Sequence, residues 1–274
     1  VGVAPGVLER SGLPAIWHIR ELPERQYLLH IDTGRRRYGQ MLRRATGLIA
    51  ISDAVKEDVR RYAGSSTAVE RIYNGVLTSA RYSELRNGAG ERWTKASPFT
   101  FLLLGLIHPS KGQEEAIRAI SIVRQKHPDV RLMIAGSGMD RHLRKLVAEF
   151  CLEQFVEISG FVPDPWPLFA RAHALLMCSR NEAFGRVTIE AMGSGLPVIG
   201  HASGGTTELV QDGANGLLYP GGAEALADRM MRLAGDRALA RSIGEHAMTL
   251  AAARFSVERM TDEVLEVYDK LIKH

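Results

Sequence analysis

Cysteine is scarce in this chain: only Cys151 and Cys178 occur. Neither has metal-ligand spacing or a neighbouring His/Cys cluster, which argues against a zinc site, an iron–sulfur site and a disulfide scaffold. Both sit in apolar sequence and are expected to be reduced, buried and inert. No apolar run reaches the roughly 18 residues that a membrane span needs, and no basic n-region leads into an apolar h-region at the start. No span or signal peptide is therefore read, and a cytoplasmic location is expected. Low-complexity tracts are missing, as is any repeat with a period of about 20 to 50 residues, which excludes a solenoid. The turn Gly136-Ser137-Gly138 lacks the third glycine of a dinucleotide fingerprint, so NAD is not inferred from it. Large blocks of one charge are also absent. The net charge of +4 is diffuse, and its longest basic cluster, Arg35-Arg36-Arg37, is too short to imply nucleic acid and reads as a solvated helix face. The mild excess suits an anionic ligand and is compatible with peripheral contact to an acidic membrane surface.

What is present is a globular composition: 274 residues, 45% of them hydrophobic, are enough for two domains. Short apolar runs alternate with helical patterns. Residues 14–19 read as a strand, 35–45 as a helix and 47–51 as a buried strand; Ser52-Asp53 caps the next helix, and 69–73 is a further strand ending at Asn74-Gly75. From 77 to 97 the periodicity disappears, and 79–97 is expected to be a linker. Trp93 within it reads either as a loop anchor or as a base-stacking residue. A second series follows, with strands at 99–104, 130–135, 155–158, 173–178, 197–199 and 216–219. Helices are expected at 113–126 and 140–150 and, past 223, to the end of the chain. The alternation predicts an α/β fold, a parallel sheet with helices on both faces. The last helix carries Met260, Val264, Val267, Tyr268 and Leu271 on one stripe, which must pack against something.

Two loops hold groups suited to an anionic, hydroxylated ligand. In the stretch SRNEAFGRVTIE (179–190), Glu182 lies in a loop after a buried strand and Glu190 lies inside the helix that follows. Such a loop is at the carboxyl end of a strand, where α/β sheets bind ligands, and the helix start offers unpaired N–H groups to a phosphate. Carboxylates accept hydrogen bonds from sugar hydroxyls. The plainer alternative has Glu182 capping the helix and Glu190 solvated on its surface. In the loop 105–112, Gly105 permits a sharp turn and Lys111 can set an ammonium against a phosphate. His108 can donate to a ligand or simply be exposed.

Taken in order, GLIAIS (47–52), IYNGV (72–76), LLGLIHPSKG (103–112), LMIAGSG (132–138), ISGFV (158–162), NEAFGRVTIEAMGSGLPVIG (181–200) and GGTTELVQDGANGLLY (204–219) resemble the retaining glycosyltransferases of carbohydrate-active family four. The likeness is strongest over 98–220 and weaker over 13–76, and it includes the family's two glutamates with seven residues between them. It implies a GT-B fold, two Rossmann-like domains facing a cleft, with the N-terminal one incomplete and a C-terminal helix returning to it. The expected divisions are 1–78, linker 79–97, nucleotide-sugar domain 98–254 and terminal helix 255–274. The implied donor is a nucleoside-diphosphate sugar, with no cofactor and no metal. The implied acceptor is a hydroxyl of a glycan, a lipid-linked or a small molecule.

By the same resemblance Glu182 faces the donor sugar, Glu190 grips ribose hydroxyls, and Lys111 neutralises the departing diphosphate. Backbone N–H groups of Phe184, Gly185, Arg186 and Val187 hold sugar and diphosphate, with Ala183 beside them in the binding loop and Gly105 and Gly136 as close backbone approaches. Gly160, Phe161 and Val162 edge the base, and Gly204-Gly205 with Glu208 line the cleft. Two positions depart from the pattern. Leu106 stands where the family usually has an arginine, whose part falls to Arg180 or Arg186. The family's N-terminal histidine corresponds to His18 or is replaced by Arg20. The chain is also read as starting partway through its first domain, lacking on the order of 100 residues. A nucleotide-sugar epimerase of the same architecture, or a donor-binding fragment that needs its missing half, are the other readings.

Overall fold

The computed structural model describes residues 14–26, 30–94 and 97–272. The opening segment 1–6, in which no complete motif is read, lies outside them, as do Lys95 and Ala96 of the expected linker. Two parallel sheets organise the chain. The first has the order β1-β2-β3, with β1 Ile16–Ile19, β2 Gly47–Ala50 and β3 Glu70–Arg71. The second has the order β6-β5-β4-β7-β8-β9, built from β4 Thr100–Leu104, β5 Arg131–Ala135, β6 Val156–Ile158, β7 Ala174–Met177, β8 Val198–His201 and β9 Gly216–Tyr219. Parallel neighbours need crossover connections, which the intervening helices supply.

Every residue of β7 and β8 is buried, because helices cover both faces of the sheet. That is why these strands read as unbroken apolar runs rather than alternating ones. Phe101, Leu103, Leu132, Ile134 and Leu176 meet the helices Gln113–Val123 and Ala223–Gly235 on one face. Leu102, Met133, Leu175, Met177 and Val198 meet Ile189 and Met192 of helix Arg186–Gly193 on the other. The expected helix repeat holds: Ala116, Ile117, Ile120 and Val123 are all fully buried. From β4 the sheet winds outward through β5 and β6, then resumes on the opposite side with β7, β8 and β9. The loops after β4 and β7 therefore diverge and leave a crevice at their carboxyl ends.

The apolar stripe of the last helix, Val257–Ile272, finds its partner in the first sheet: Met260, Val264, Val267, Tyr268 and Leu271 pack with Ile16, Ile49 and Ile72. The stretch 79–97, expected as a linker, contains helices Ser79–Gly88 and Glu91–Thr94. Only Tyr82 of the first is buried, so there is no apolar repeat to read, while the Thr78 hydroxyl caps its start by accepting from Arg81 N at 3.1 Å. The expectation of a buried Cys151 is corrected: Cys151 is exposed, because the chain turns out of helix Arg141–Glu149 with Cys151 at a φ of 53°, while Cys178 is buried as expected.

Trp93 stands edge-on to His173, with ring centroids 5.5 Å apart. His173 precedes β7, so this indole anchors the amino ends of the strands, opposite to the crevice. His173 itself is buried, accepts Thr100 N at Nδ1 (3.1 Å), and has the Arg237 guanidinium 3.4 Å from its other ring nitrogen. Burial first, then Arg237 and Arg92, hold its pKa down to about 4 from 6.5. A depressed histidine favours the native state above its unfolded pKa and disfavours it as pH falls toward the folded value. We predict a loss of about 3 kcal/mol of unfolding free energy between pH 7 and pH 4 from this group. Denaturant titration would show it, and His173→Gln should flatten that part of the profile.

Candidate active site

The crevice between the loops after β4 and β7 holds a cavity of about 370 Å³. Gly105, Leu106 and Lys111 line it from the first loop, and Ser179 with Glu182 to Val187 from the second. Arg20, Glu21, Ile51 and Asn74 close it from the side of the first sheet, so it lies between the two sheets. Lys111 ends a short 3-10 turn, Pro109–Lys111, that the His108 ring caps by accepting Ser110 N at 3.2 Å. His108 thus shapes the loop that presents the lysine.

Lys111 Nζ donates to Glu182 Oε2 at 2.8 Å, and both side chains are largely withdrawn from solvent. Glu182 does not cap the following helix. That helix, Arg186–Gly193, starts at Gly185, whose φ is 96°, and no side chain caps its first N–H groups. Orphan N–H groups and the positive end of the helix dipole consequently face the cavity beside an ammonium, an arrangement that attracts an anion. Glu190 is not a solvated surface residue either: its side chain is only 17% exposed and sits 3.9 Å from Arg186 Nη2. Burial pushes its carboxyl above the usual range, with Arg186 opposing. It lies one helical turn below the lining rather than on it.

Arg186 lines the cavity, whereas Arg180 turns away to Glu115 at 3.6 Å, and Leu106 is exposed. His18 is occupied by Tyr268 (Nε2 to OH, 3.1 Å), while Arg20 reaches the cavity. Gly136, Gly160, Phe161 and Val162 are not on its lining. They belong to the neighbouring loops after β5 and β6, which are stacked on the first: Gly136 N donates to Gly160 O at 2.7 Å. A Cβ on Gly136 would come within 1.7 Å of Gly105 O, so only glycine permits this stacking. Along that edge Leu106, Met139 and Phe161 are exposed, an apolar rim beside the crevice.

Residues 91–249 match the family described as glycosyl transferases, group 1. The chain belongs to this family. Alpha-D-kanosaminyltransferase of Streptomyces kanamyceticus is 28% identical over 242 residues, covering 84% of this chain and 62% of that protein. D-inositol 3-phosphate glycosyltransferase of Salinispora arenicola is 30% identical over 257 residues, covering 85% of this chain and 56% of that protein. The chain thus spans somewhat over half the length of these relatives. Among solved structures, Anabaena Alr3699/HepE in complex with UDP-glucose aligns with a TM-score of 0.85 at 26% identity, covering 98% of this chain and 75% of the other. Sucrose-phosphate synthase from Thermosynechococcus elongatus, at 23% identity and a TM-score of 0.82, shares the fold over 98% of this chain and 71% of its own. The architecture is that of the GT-B glycosyltransferases, as the motif order implied.

The first sheet contributes a wall to this cavity, of which only Arg20 is marked by the sequence. Glu21 is the clearest of the unmarked residues: it follows β1 at a strand's carboxyl end, the position that drew attention to Glu182 and Lys111. Burial, and next the negative charge of Glu182, raise its carboxyl above the usual range, with Lys111 opposing. Asn74, in the turn after β3, lines the cavity as well. Among the described residues no group of three or more His, Cys, Asp or Glu is placed to share a metal ion, and no helix is long and apolar enough to cross a membrane.

Proposed function

We propose that the chain supplies the donor site, and part of the facing wall, of an enzyme that moves a sugar from a nucleoside-diphosphate sugar to an acceptor hydroxyl. Retention at the anomeric carbon follows from the family resemblance. The observation that carries the reading is the pair of Lys111 and Glu182 beside the uncapped helix start at Gly185, inside the crevice where the strand order reverses. In this reading the diphosphate rests on the N–H groups of 184–187 and draws the Lys111 ammonium away from Glu182. As the glycosidic bond breaks, negative charge grows on the leaving diphosphate. An ammonium and N–H dipoles already aimed at that place stabilise it without reorganisation. Glu182, released from the lysine, then faces the sugar.

Glu190, held below the loop, accepts the ribose hydroxyls, and the edge around Gly160, Phe161 and Val162 meets the base. The acceptor, a glycan, a lipid-linked or a small molecule, enters from the side of Arg20 and Glu21. We place the units at 1–78 and 98–254, bridged by 79–97, with 255–274 packed on the first. A cytoplasmic setting, with peripheral contact to an acidic membrane where the acceptor is lipid-linked, fits the mild basic charge.

A thermal-shift series with UDP, GDP, ADP and dTDP tests the donor site, because a ligand that binds only the native state stabilises it by about 2.7 kcal/mol at a hundred times its Kd. One nucleotide is expected to raise the Tm, and its sugar conjugate to release nucleoside diphosphate when incubated with the protein and an acceptor. No shift with any nucleotide would overturn the reading. Glu190→Ala should weaken the preferred nucleotide about tenfold, the ~1.4 kcal/mol of a lost charged hydrogen bond. Its ligand-free Tm should not fall, since the buried carboxylate costs rather than adds stability.

A further inference from the structure

Helix Asp53–Ala63 of the N-terminal half begins at Ser52, and its first N–H groups have no partner within the helix. Asp53 N and Ala54 N instead donate to the two oxygens of one carboxylate, Glu208 Oε2 and Oε1, each at 2.8 Å. Glu208 belongs to the other half of the molecule, on the short helix Thr206–Leu209 after β8. A second bond runs alongside: the Ser52 hydroxyl, which accepts Val55 N at 3.1 Å, donates to Ala183 O at 2.6 Å. Ala183 directly follows Glu182.

On the other side, Glu208 is joined to that same loop through Gly204-Gly205. Gly205 N donates to Glu182 O at 2.7 Å. A Cβ on Gly204, whose φ is 58°, would stand 2.5 Å from Glu182 O, and one on Gly205 2.7 Å from Ala183 O. The two backbones touch with no side chain between them, so Glu208 and Glu182 move as one body. Ser52, Glu208, the glycine pair and 182–183 close a ring of contacts across the cleft. Behind it Tyr73 stacks on Phe184 with centroids 5.9 Å apart, its hydroxyl against the Glu208 carboxylate. A forked, charge-assisted pair of hydrogen bonds fixes both the distance and the angle between the groups it joins.

We infer that Glu208 is a positioning residue that locks the loop bearing Glu182 to the helix start at Ser52, and so sets how the donor wall faces Arg20 and Glu21. The inference rests on the reading of 182–187 as the donor loop. Its test has one arm that does not depend on that reading. Amide exchange by NMR in the ligand-free protein should find Asp53 and Ala54 protected in the wild type, unlike most first-turn amides. In Glu208→Gln, which keeps one acceptor oxygen and sets an NH2 against the second N–H, they should exchange at least ~10-fold faster. Amides deeper in the same helix should stay as they were.

In the second arm UDP should bind Glu208→Gln within about threefold of wild type, while turnover of the preferred donor falls ~10- to 100-fold, a loss in kcat rather than KM. Ser52→Ala should move both readouts the same way, and the double variant should lose little more than Glu208→Gln alone, since both bonds serve one lock. Equal exchange at Asp53 and Ala54 in wild type and variant would overturn the inference. So would faster exchange with unchanged turnover. Failure of wild type to bind UDP or any other nucleotide would instead count against the donor site, leaving the exchange arm to decide the lock.

Discussion

Replacing Lys111 with alanine is expected to lower turnover about a thousandfold and to weaken the preferred nucleoside diphosphate by at least tenfold. Two effects add. The fixed cation that meets charge developing on the leaving diphosphate is lost, and such preorganised groups contribute ~3–4 kcal/mol to the transition state. Glu182 is at the same time left without the ammonium 2.8 Å away, so a buried negative charge faces the incoming diphosphate. Breaking one side of a withdrawn ion pair is also costly to the fold, here about 2–3 kcal/mol. Lys111→Ala should therefore lower the Tm of the ligand-free protein, and the double variant Lys111→Ala/Glu182→Ala should recover much of that loss without recovering turnover. Wild-type turnover in Lys111→Ala would remove the diphosphate from this corner of the cleft.

Glu182→Gln is expected to do the opposite to binding and the same to chemistry. The amide keeps the size and one acceptor oxygen but carries no charge, so it neither competes for Lys111 nor repels phosphate oxygens. UDP, or whichever nucleotide is preferred, should bind about three- to tenfold more tightly, while turnover falls about a hundredfold. Calorimetry with the nucleotide and steady-state kinetics with its sugar separate the two. Tighter binding with unimpaired turnover would show that Glu182 only balances Lys111 and does not serve the sugar. Weaker binding in both Lys111→Ala and Glu182→Gln would mean that the pair is a structural bridge.

The wall of the cavity formed by 105–111 and 182–187 was legible because its residues are neighbours in sequence. Loop and helix start at 182–187 follow one strand, Lys111 follows another, and strand ends in a parallel sheet converge by topology alone. The facing wall was not. Arg20 was marked only through the family resemblance; Glu21 and Asn74 enter the cavity because the first sheet is set against the second, and no local pattern records that. Helix Ser79–Gly88 escaped notice for a related reason: it buries only Tyr82, so tertiary contacts and the Thr78 cap, rather than a repeat, make it helical. Cys151 shows the limit of reading burial from apolar neighbours, since one left-handed turn brings it to the surface.

Alone, the order of residues determined which segments form buried strands, which faces of the long helices are apolar, and where the loop that carries Glu182 begins. Those features depend on contacts along a few turns of chain. Tertiary structure decided which charges meet: Lys111 with Glu182, Arg180 with Glu115, His18 with Tyr268, and Glu208 with the amides of a helix about 155 residues away. Electrostatic partnership falls off within a few ångströms, and distances of that size between remote segments exist only once both sheets have packed.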